Sequence, residues 1–249
     1  MKIYKTAQVA KIVGLHPNTV RLYEEWGLIP KPVRLDNGYR VFTDLHIEQI
    51  RLVRLALRAE VTQNGLRNQA IHIIKLSAAG EYDRAMESTY DYLAMVKAEQ
   101  KNAEEALIIT KQLLSRAQAE TNSVLLTRKQ TADLLGITID TLRNWELNGL
   151  LTVKRRQNGY RMYDSRDINI LKIIRTLRRA QYSLSSILRM LTALSAKETA
   201  FDLREVLDTP LQTDEIVSVC DRLLTSLSHL EKDIYQIQEQ LQLLKNMKI

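Results

Sequence analysis

One stretch of this chain occurs twice, and that repeat constrains the fold more than any other feature. Residues 16–29 and 138–151 align at an offset of 122, with Gly14/Gly136, Thr19/Thr141, Arg21/Arg143, Glu24/Glu146, Gly27/Gly149 and Leu28/Leu150 identical. Just downstream the offset becomes 121, and Asn37-Gly38-Tyr39-Arg40 meets Asn158-Gly159-Tyr160-Arg161. A period this long exceeds any single supersecondary unit, so the chain holds a duplicated domain and not a solenoid.

Each copy spells helix, tight turn, helix, hairpin, helix. In the first, Thr6 is expected to cap a helix over 7–13 whose Val9, Ala10 and Val13 share a face. Gly14 supplies the turn, because a positive φ costs glycine little. Pro17 suits the first position of a second helix over 17–26, and Gly27 ends it. In the second copy Thr127 and Gln130 have capping-box spacing, Gly136 takes the turn, Thr138 caps the next helix and Gly149 ends it. This order is the helix-turn-helix signature.

Spacing within the second helix sorts its residues. Val20 and Leu142 fall inward; Asn18, Arg21, Leu22 and Glu25 fall outward, as do Asp140, Arg143, Asn144 and Leu147. Arg and Asn on an outer helix face can read base edges in the major groove or hold phosphates. Thr19 and Thr141 lie beside them. Tyr23 and Trp145 read two ways: DNA contacts, or core aromatics with only a polar tip outside. A hairpin follows, with residues 31–35 rising, Asp36-Asn37-Gly38 turning and 39–42 returning. Its second copy runs 153–156, Gln157-Asn158-Gly159, then 160–163. Arg34, Asn37, Tyr39 and Arg40, and likewise Arg155, Arg156, Asn158, Tyr160 and Arg161, make these basic wings that are expected to touch the DNA backbone or minor groove. A third helix is expected over 45–59 and 167–181. Ile47, Ile50, Val53 and Leu57 line its inner face in one copy, and Ile168, Leu171, Ile174 and Leu177 in the other. Its other side carries Arg51, Arg54 and Arg58, and Lys172, Arg175, Arg178 and Arg179. Of these, Arg54, Arg58, Arg175, Arg178 and Arg179 are expected at phosphates.

Charge follows the repeat. The chain carries +7 overall, but residues 1–75 carry +6, 76–121 carry −3, 122–197 carry +9 and 198–249 carry −5. Positive charge concentrated in the two repeats is the footprint that phosphate neutralisation requires.

These motifs resemble the DNA-binding domain of the MerR family of bacterial transcription regulators. The likeness rests on Thr19-Val20-Arg21-Leu22-Tyr23-Glu24, Gly27-Leu28-Ile29 and Asn37-Gly38-Tyr39-Arg40-Val41-Phe42. In the second copy it rests on Thr141-Leu142-Arg143-Asn144-Trp145-Glu146, Gly149-Leu150-Leu151, Asn158-Gly159-Tyr160-Arg161-Met162-Tyr163 and the run 182–187. The resemblance covers roughly 70 residues of each half. It implies a four-helix winged domain, a long dimerisation helix after it, an operator with two half-sites and, often, an effector domain. Two departures stand out. Residues 61–66 of the first copy lack the family's Leu-x-x-Ile pattern, and family members usually carry one such domain per chain.

The segments after each domain account for the duplication. Residues 84–118 hold no Gly or Pro, and Met86, Leu93, Gln100, Leu107 and Leu114 recur every seven with Thr89, Val96, Ala103, Thr110 and Ala117 three later. From Ile216 the seam is cleaner: Cys220, Leu223, Leu227, Leu230, Ile234, Ile237, Leu241 and Leu244 continue steps of four and three. Family dimers pair such helices antiparallel, which puts the end of one beside the start of the other. A linker of about six residues at 119–124 then suffices to join both domains in one chain. The expected architecture is mainly α: two winged helix-turn-helix domains (1–80 and 122–195), each followed by a long helix (81–121 and 214–249), with a connector at 196–213. The long helices form an antiparallel coiled coil and the chain is a monomeric pseudo-dimer. A homodimer through the same helices is the alternative.

The function expected is sequence-specific binding of double-stranded DNA by a transcription regulator, with RNA polymerase at the promoter a further partner. Recognition helices about one DNA turn apart, roughly 34 Å, would then face one side of the duplex. An architectural or recombination-associated DNA protein is the alternative. No nucleophile–base pair or phosphate-binding glycine loop stands out, so no enzyme is expected. One cysteine with scattered His16, His46, His72 and His229 makes a poor metal-sensing set, so no cofactor is expected. Only 8 Gly and 4 Pro favour helix, and the lone Cys220 fits a reducing compartment. With no apolar run of membrane-spanning length, a bacterial cytoplasmic protein is expected, at the nucleoid when bound.

Overall fold

A computed structural model describes residues 2–58, 65–117, 125–153, 161–196, 202–210 and 219–248. These form two compact units: Met1–Ala98 with Leu227–Ile249, and Glu99–Ser226.

The first unit runs β1 (Ile3–Tyr4), α1 (Thr6–Val13), α2 (Pro17–Glu25), β2 (Val33–Arg34), β3 (Arg40–Thr43), α3 (Asp44–Ala56), α4 (Leu66–Ala78) and the start of α5 (Tyr82–Ala117). The second holds the rest of α5, β4 (Leu126–Thr127), α6 (Arg128–Leu135), α7 (Ile139–Leu147), β5 (Met162–Tyr163), α8 (Ser165–Arg179), α9 (Leu184–Ser195) and α10 (Leu203–Asp208). A 3₁₀ turn, Val219–Arg222, precedes α11 (Leu223–Lys248), most of which belongs to the first unit.

Capping sets the helix starts. Lys5, not Thr6, takes the cap position of α1, and its N–H donates to the Gln8 side chain at 2.8 Å. The repeat explains the shift: Lys5 aligns with Thr127, which caps α6 as expected, its N–H donating to Gln130 Oε1 at 2.9 Å. His16 and Thr138, also aligned, cap the next helices; His16 Nδ1 accepts the Asn18 N–H at 3.2 Å, and Thr138 Oγ1 accepts the Thr141 N–H at 3.0 Å. Gly14 and Gly136 sit at φ 65° and 59°, so each turn needs the left-handed conformation that a side chain would strain.

The first wing is a hairpin with Val33 opposite Val41 and Arg34 opposite Arg40. Gly38, at φ 78°, and the Leu35 N–H donating to Tyr39 O at 2.9 Å close a three-residue loop. The sheet gains a third strand absent from the sequence reading, since Ile3–Tyr4 pairs antiparallel with β3. Leu126–Thr127 likewise pairs with β5. The second wing, 154–160, the linker at 118–124 and the run 59–64 lie outside the described residues.

Each unit has its own core. In the first, Val9, Val20, Phe42, Ile50, Val53 and Ile74 are buried. Gln49 is buried among them with its amide satisfied: Nε2 donates to Leu28 O and Ile74 O at 3.0 and 3.1 Å, and Oε1 accepts the Ser77 hydroxyl at 2.7 Å. Both ends of that amide are paired, so it fixes α3 against α4 instead of destabilising the core. In the second unit Leu142, Trp145, Tyr163, Leu171, Ile174 and Leu177 are buried. Leu203 and Leu207 bury themselves too, which makes the connector helix α10 a packing arm. Of the third helices, α3 starts one residue and stops three residues early, and α8 starts and stops two residues early.

In the first unit α11 lies antiparallel along α5. Asp83 pairs with Lys245, Thr89 Oγ1 accepts from Gln238 Nε2 at 2.8 Å, and Lys97 stands 3.8 Å from Glu231. The expected α11 seam from Leu223 to Leu244 is buried throughout. The α5 seam differs. Thr89, Val96, Ala103 and Thr110 are buried as expected, but Tyr92 is the inner residue where Leu93 was expected, and Met86 and Gln100 are half-buried. Burial, and then the nearby Asp233 carboxylate, push the Tyr92 hydroxyl up to about 12. Among the described residues, no helix is long and apolar enough to cross a membrane.

Candidate nucleic-acid interface

The outward faces of α2 and α7 are as the spacing predicts. Asn18, Arg21 and Glu25 are exposed, and so are Asp140, Arg143 and Asn144. Arg21 Nη1 donates to Asn18 Oδ1 at 2.9 Å, which pre-positions the guanidinium along the helix. Leu22 is 39% and Leu147 76% exposed, more than an apolar residue gains from water, so both faces offer apolar contact as well as polar. Thr19 and Thr141 are half-buried. Tyr23 is half-buried and its hydroxyl is raised by burial. Trp145 is a core residue at 5% exposure that also borders a surface cavity.

Two glutamates make matching ties: Glu24 holds the first wing to α2, and Glu146 holds Arg128, Arg161 and Tyr163 to α7. Glu24 accepts from Arg34 Nη2 at 3.3 Å and from Arg40 Nε. Glu146 accepts from Arg128 Nη2 and Arg161 Nε, both at 2.8 Å, and from the Tyr163 hydroxyl. Burial, followed by the bond to Glu146, pushes Tyr163 up to about 12. Both carboxylates are under 10% exposed, so these pairs are screened less than surface pairs. Sequence reasoning assigned Arg34, Arg40 and Arg161 to DNA and gave the glutamates no role. The signal was present, since Glu24/Glu146 repeat at an offset of 122 and Arg40/Arg161, which they hold, at 121. Arg34 keeps a side-chain exposure of 48%, so its remaining donors still face solvent. Asn37 accepts the Tyr39 N–H at 3.1 Å and shapes the turn, leaving Tyr39 67% exposed at the wing tip. Arg155, Arg156, Asn158 and Tyr160 lie outside the described residues.

The base of the first wing holds a histidine. His46 Nδ1 accepts the Thr43 N–H at 3.1 Å, and its ring stands edge-on to Phe42 with centroids 5.4 Å apart. Burial holds its pKa below the ordinary value, against smaller opposing effects of the Pro30 carbonyl and Glu24. A lowered folded pKa means the unfolded chain takes the proton more readily. The first unit therefore keeps its full stability above the ordinary pKa of about 6.5 and loses it as pH falls below that. Urea midpoints at about pH 7.5 and 5.5 should differ by less in His46→Gln than in the natural chain; an unchanged difference excludes His46 as the source.

The third-helix arginines divide between the copies. Arg54 donates to Val13 O, the last carbonyls of α1, and Arg58 pairs with Asp233 at 3.0 Å. Each makes a bond within the protein, and Arg58 keeps a side-chain exposure of 63%. In the second unit a cavity of about 330 Å³ opens beside α7, lined by Ile137, Thr141, Asn144, Trp145, Arg175, Arg178, Arg179 and Leu184. Arg178 Nη1 donates to Tyr182 O at 2.6 Å, and Arg175 Nε is buried with no partner among the described residues.

Comparison with known proteins agrees with this geometry. Residues 126–194 match the family model of the MerR HTH family regulatory protein, and residues 5–42 that of the MerR family regulatory protein. The HTH-type transcriptional regulator CueR of Escherichia coli O6:H1 is 46% identical over 50 residues, covering 20% of this chain and 37% of that protein. CueR of Yersinia pestis is 40% identical over 80 residues, 29% of this chain and 58% of that protein. The HTH-type transcriptional regulator YfmP of Bacillus subtilis is 45% identical over 53 residues, 21% of this chain and 38% of that protein. The chain thus spans less than two thirds of the length of each of these relatives. No solved structure matches it.

Proposed function

We propose that this chain, which carries two MerR-type domains, is a bacterial transcription regulator that binds double-stranded DNA sequence-specifically as a single-chain pseudo-dimer. The observation that carries the pseudo-dimer is the antiparallel pairing of α11 with α5 inside the first unit, through Asp83–Lys245 and Thr89–Gln238. A helix that follows the second domain thereby completes the first, a role that in a family dimer falls to a second subunit. DNA binding rests on the exposed faces of α2 and α7, the first wing held to α2 by Glu24, Arg161 held by Glu146, and the basic charge of both repeats. The site residues proposed are those of the two recognition helices, the wing arginines with Asn37 and Tyr39, and the α8 arginines at the cavity. The proposal places the protein in the cytoplasm, on the nucleoid when bound, with RNA polymerase as its partner at a promoter.

The two faces are not copies. Asn18 stands where Asp140 does, Leu22 where Asn144 does and Glu25 where Leu147 does, while Arg21 and Arg143 match. The operator is therefore an imperfect palindrome. Arg21→Ala is expected to weaken one half-site and Arg143→Ala the other, each by about 1–3 kcal/mol. Selection of duplexes from a random pool, followed by titration of each variant on the enriched sequence, measures this. Perfectly palindromic winners would sink the asymmetry, and a failure of the natural chain to bind any duplex in a salt-sensitive way would sink DNA binding itself. Sites clustered at promoters in a genomic footprint separate a regulator from an architectural protein, whose sites would be scattered.

A further inference from the structure

We infer that the cavity beside α7 takes a backbone phosphate of the DNA duplex and makes the second MerR-type domain the stronger of the two half-site readers. The inference rests on the DNA-binding reading and goes beyond it by ranking the two halves and naming the group that ranks them.

The cavity is cationic by construction. Arg175, Arg178 and Arg179 line it, and among the described residues no carboxylate does. Guanidinium forks match the oxygens of a phosphate better than any other side chain, and they hold their charge at every physiological pH. Trp145 and Leu184 supply apolar wall, which thins the water around those charges and strengthens their pull. One nitrogen already lacks a partner: Arg175 Nε is buried and makes no hydrogen bond among the described residues. The cavity also borders Thr141 and Asn144 on α7, so a duplex read by that helix carries its phosphates past the opening.

The first copy has no equivalent set. At the offset of 121, Arg54, Leu57 and Arg58 stand where Arg175, Arg178 and Arg179 do. Leu57 brings no charge. Arg54 is engaged with the Val13 carbonyl, and Arg58 with Asp233 at 3.0 Å. Three cations line a cavity in one domain; at the same three positions the other has two, Arg54 bonded to Val13 O and Arg58 paired with Asp233 at a side-chain exposure of 63%. Since phosphate contacts supply much of the affinity of a DNA-binding surface, the second domain should bind more tightly than the first.

Arg178→Leu tests this by giving the second copy the residue of the first. The full chain is titrated with the duplex it enriches from a random pool, at several salt concentrations. The variant should bind about tenfold more weakly, and its log K against log salt slope should shrink by about one. A single neutral methylphosphonate in the second half-site should erase the difference between variant and natural chain; one in the first half-site should not. Arg178 also holds Tyr182 O, so Arg179→Ala, at an exposed position, repeats the test without touching that bond, and it should show the same shift in slope. Unchanged affinity and slope in both variants would overturn the inference while leaving DNA binding intact. So would an equal loss on both half-sites. Calorimetry with inorganic phosphate supplies a further arm: binding that needs Arg178, together with undiminished duplex affinity, would give the cavity to a free anion and overturn the inference. No duplex binding by the natural chain would overturn the DNA-binding reading and the inference together.

Discussion

Asp221→Ala is expected to destabilise the second unit by about 3–5 kcal/mol, the cost of breaking a buried ion pair. The partner is Arg189, whose side chain is 7% exposed against 3% for Asp221, with Nη1 3.9 Å from Oδ1. That distance is long for an ion pair, and the arginine's other bonds explain how it is held. Arg189 donates to Ser186 Oγ at 3.1 Å, to Asp221 O at 3.2 Å and to Leu207 O at 3.4 Å. Ser183 Oγ donates to Asp221 Oδ1 and is also the acceptor that caps α9. One carboxylate therefore joins the start of α9 to the turn that opens α11, while its arginine ties in the end of α10. Removing the carboxylate breaks its buried pair with the guanidinium and loosens the cap together. Trp145 reports the outcome: the chain has two tryptophans, and Trp145 is buried in this unit. In a Trp26→Phe background its emission should move to a lower urea midpoint in Asp221→Ala, with the first unit's transition unmoved. A midpoint shift under about 1 kcal/mol equivalent would mean that water or neighbouring carbonyls satisfy Arg189 on their own.

How far the sequence reveals this molecule depends on the range of the interaction. The α11 seam is local and apolar, and every position from Leu223 to Leu244 named from periodicity is buried. The recognition helices were legible for the same reason, with Val20 and Leu142 fully buried and the opposite faces in water. The α5 seam was read less well because its packed face is small and polar. Ser88, Thr89 and Thr110 are buried there with Ala85, Ala103 and Ala106, and a large share of the volume comes from Tyr92. A reading weighted toward Leu and Met lands one position off. Two-residue strands such as β1 and β4 carry no periodic signal at all; they exist because β3 and β5 offer an edge to pair with. Least legible were the arginines. Arg54, Arg58, Arg175 and Arg178 look alike on a helix wheel, but one reaches Val13, one Asp233 and one Tyr182. Partners 41 and 175 residues away in sequence are a product of the fold and not of any local pattern.

Ile237→Asp carries the second large effect and bears directly on the pseudo-dimer. Ile237 is fully buried on α11, in the part of that helix belonging to the first unit. Its neighbours along the helix, Ile234 and Leu241, are buried with it, and Gln240 Nε2 donates to Glu48 O at 3.1 Å, reaching α3. A carboxylate placed there has no cation opposite it in the seam and should cost about 3–5 kcal/mol. The loss should appear far from the mutation in sequence. Hydrogen exchange should rise across residues 1–98, while residues 125–196 of the neighbouring domain, though closer along the chain, keep their protection. Light scattering on the natural chain should give a mass near 28.7 kDa, that of one chain. A short linker makes the intramolecular helix a partner of high effective concentration, so a second chain has little to compete with. If the helices instead pair between chains, the natural mass doubles, and Ile237→Asp splits that dimer while both winged domains stay protected. Mass and protection together therefore separate a helix that completes its own chain from one that joins two.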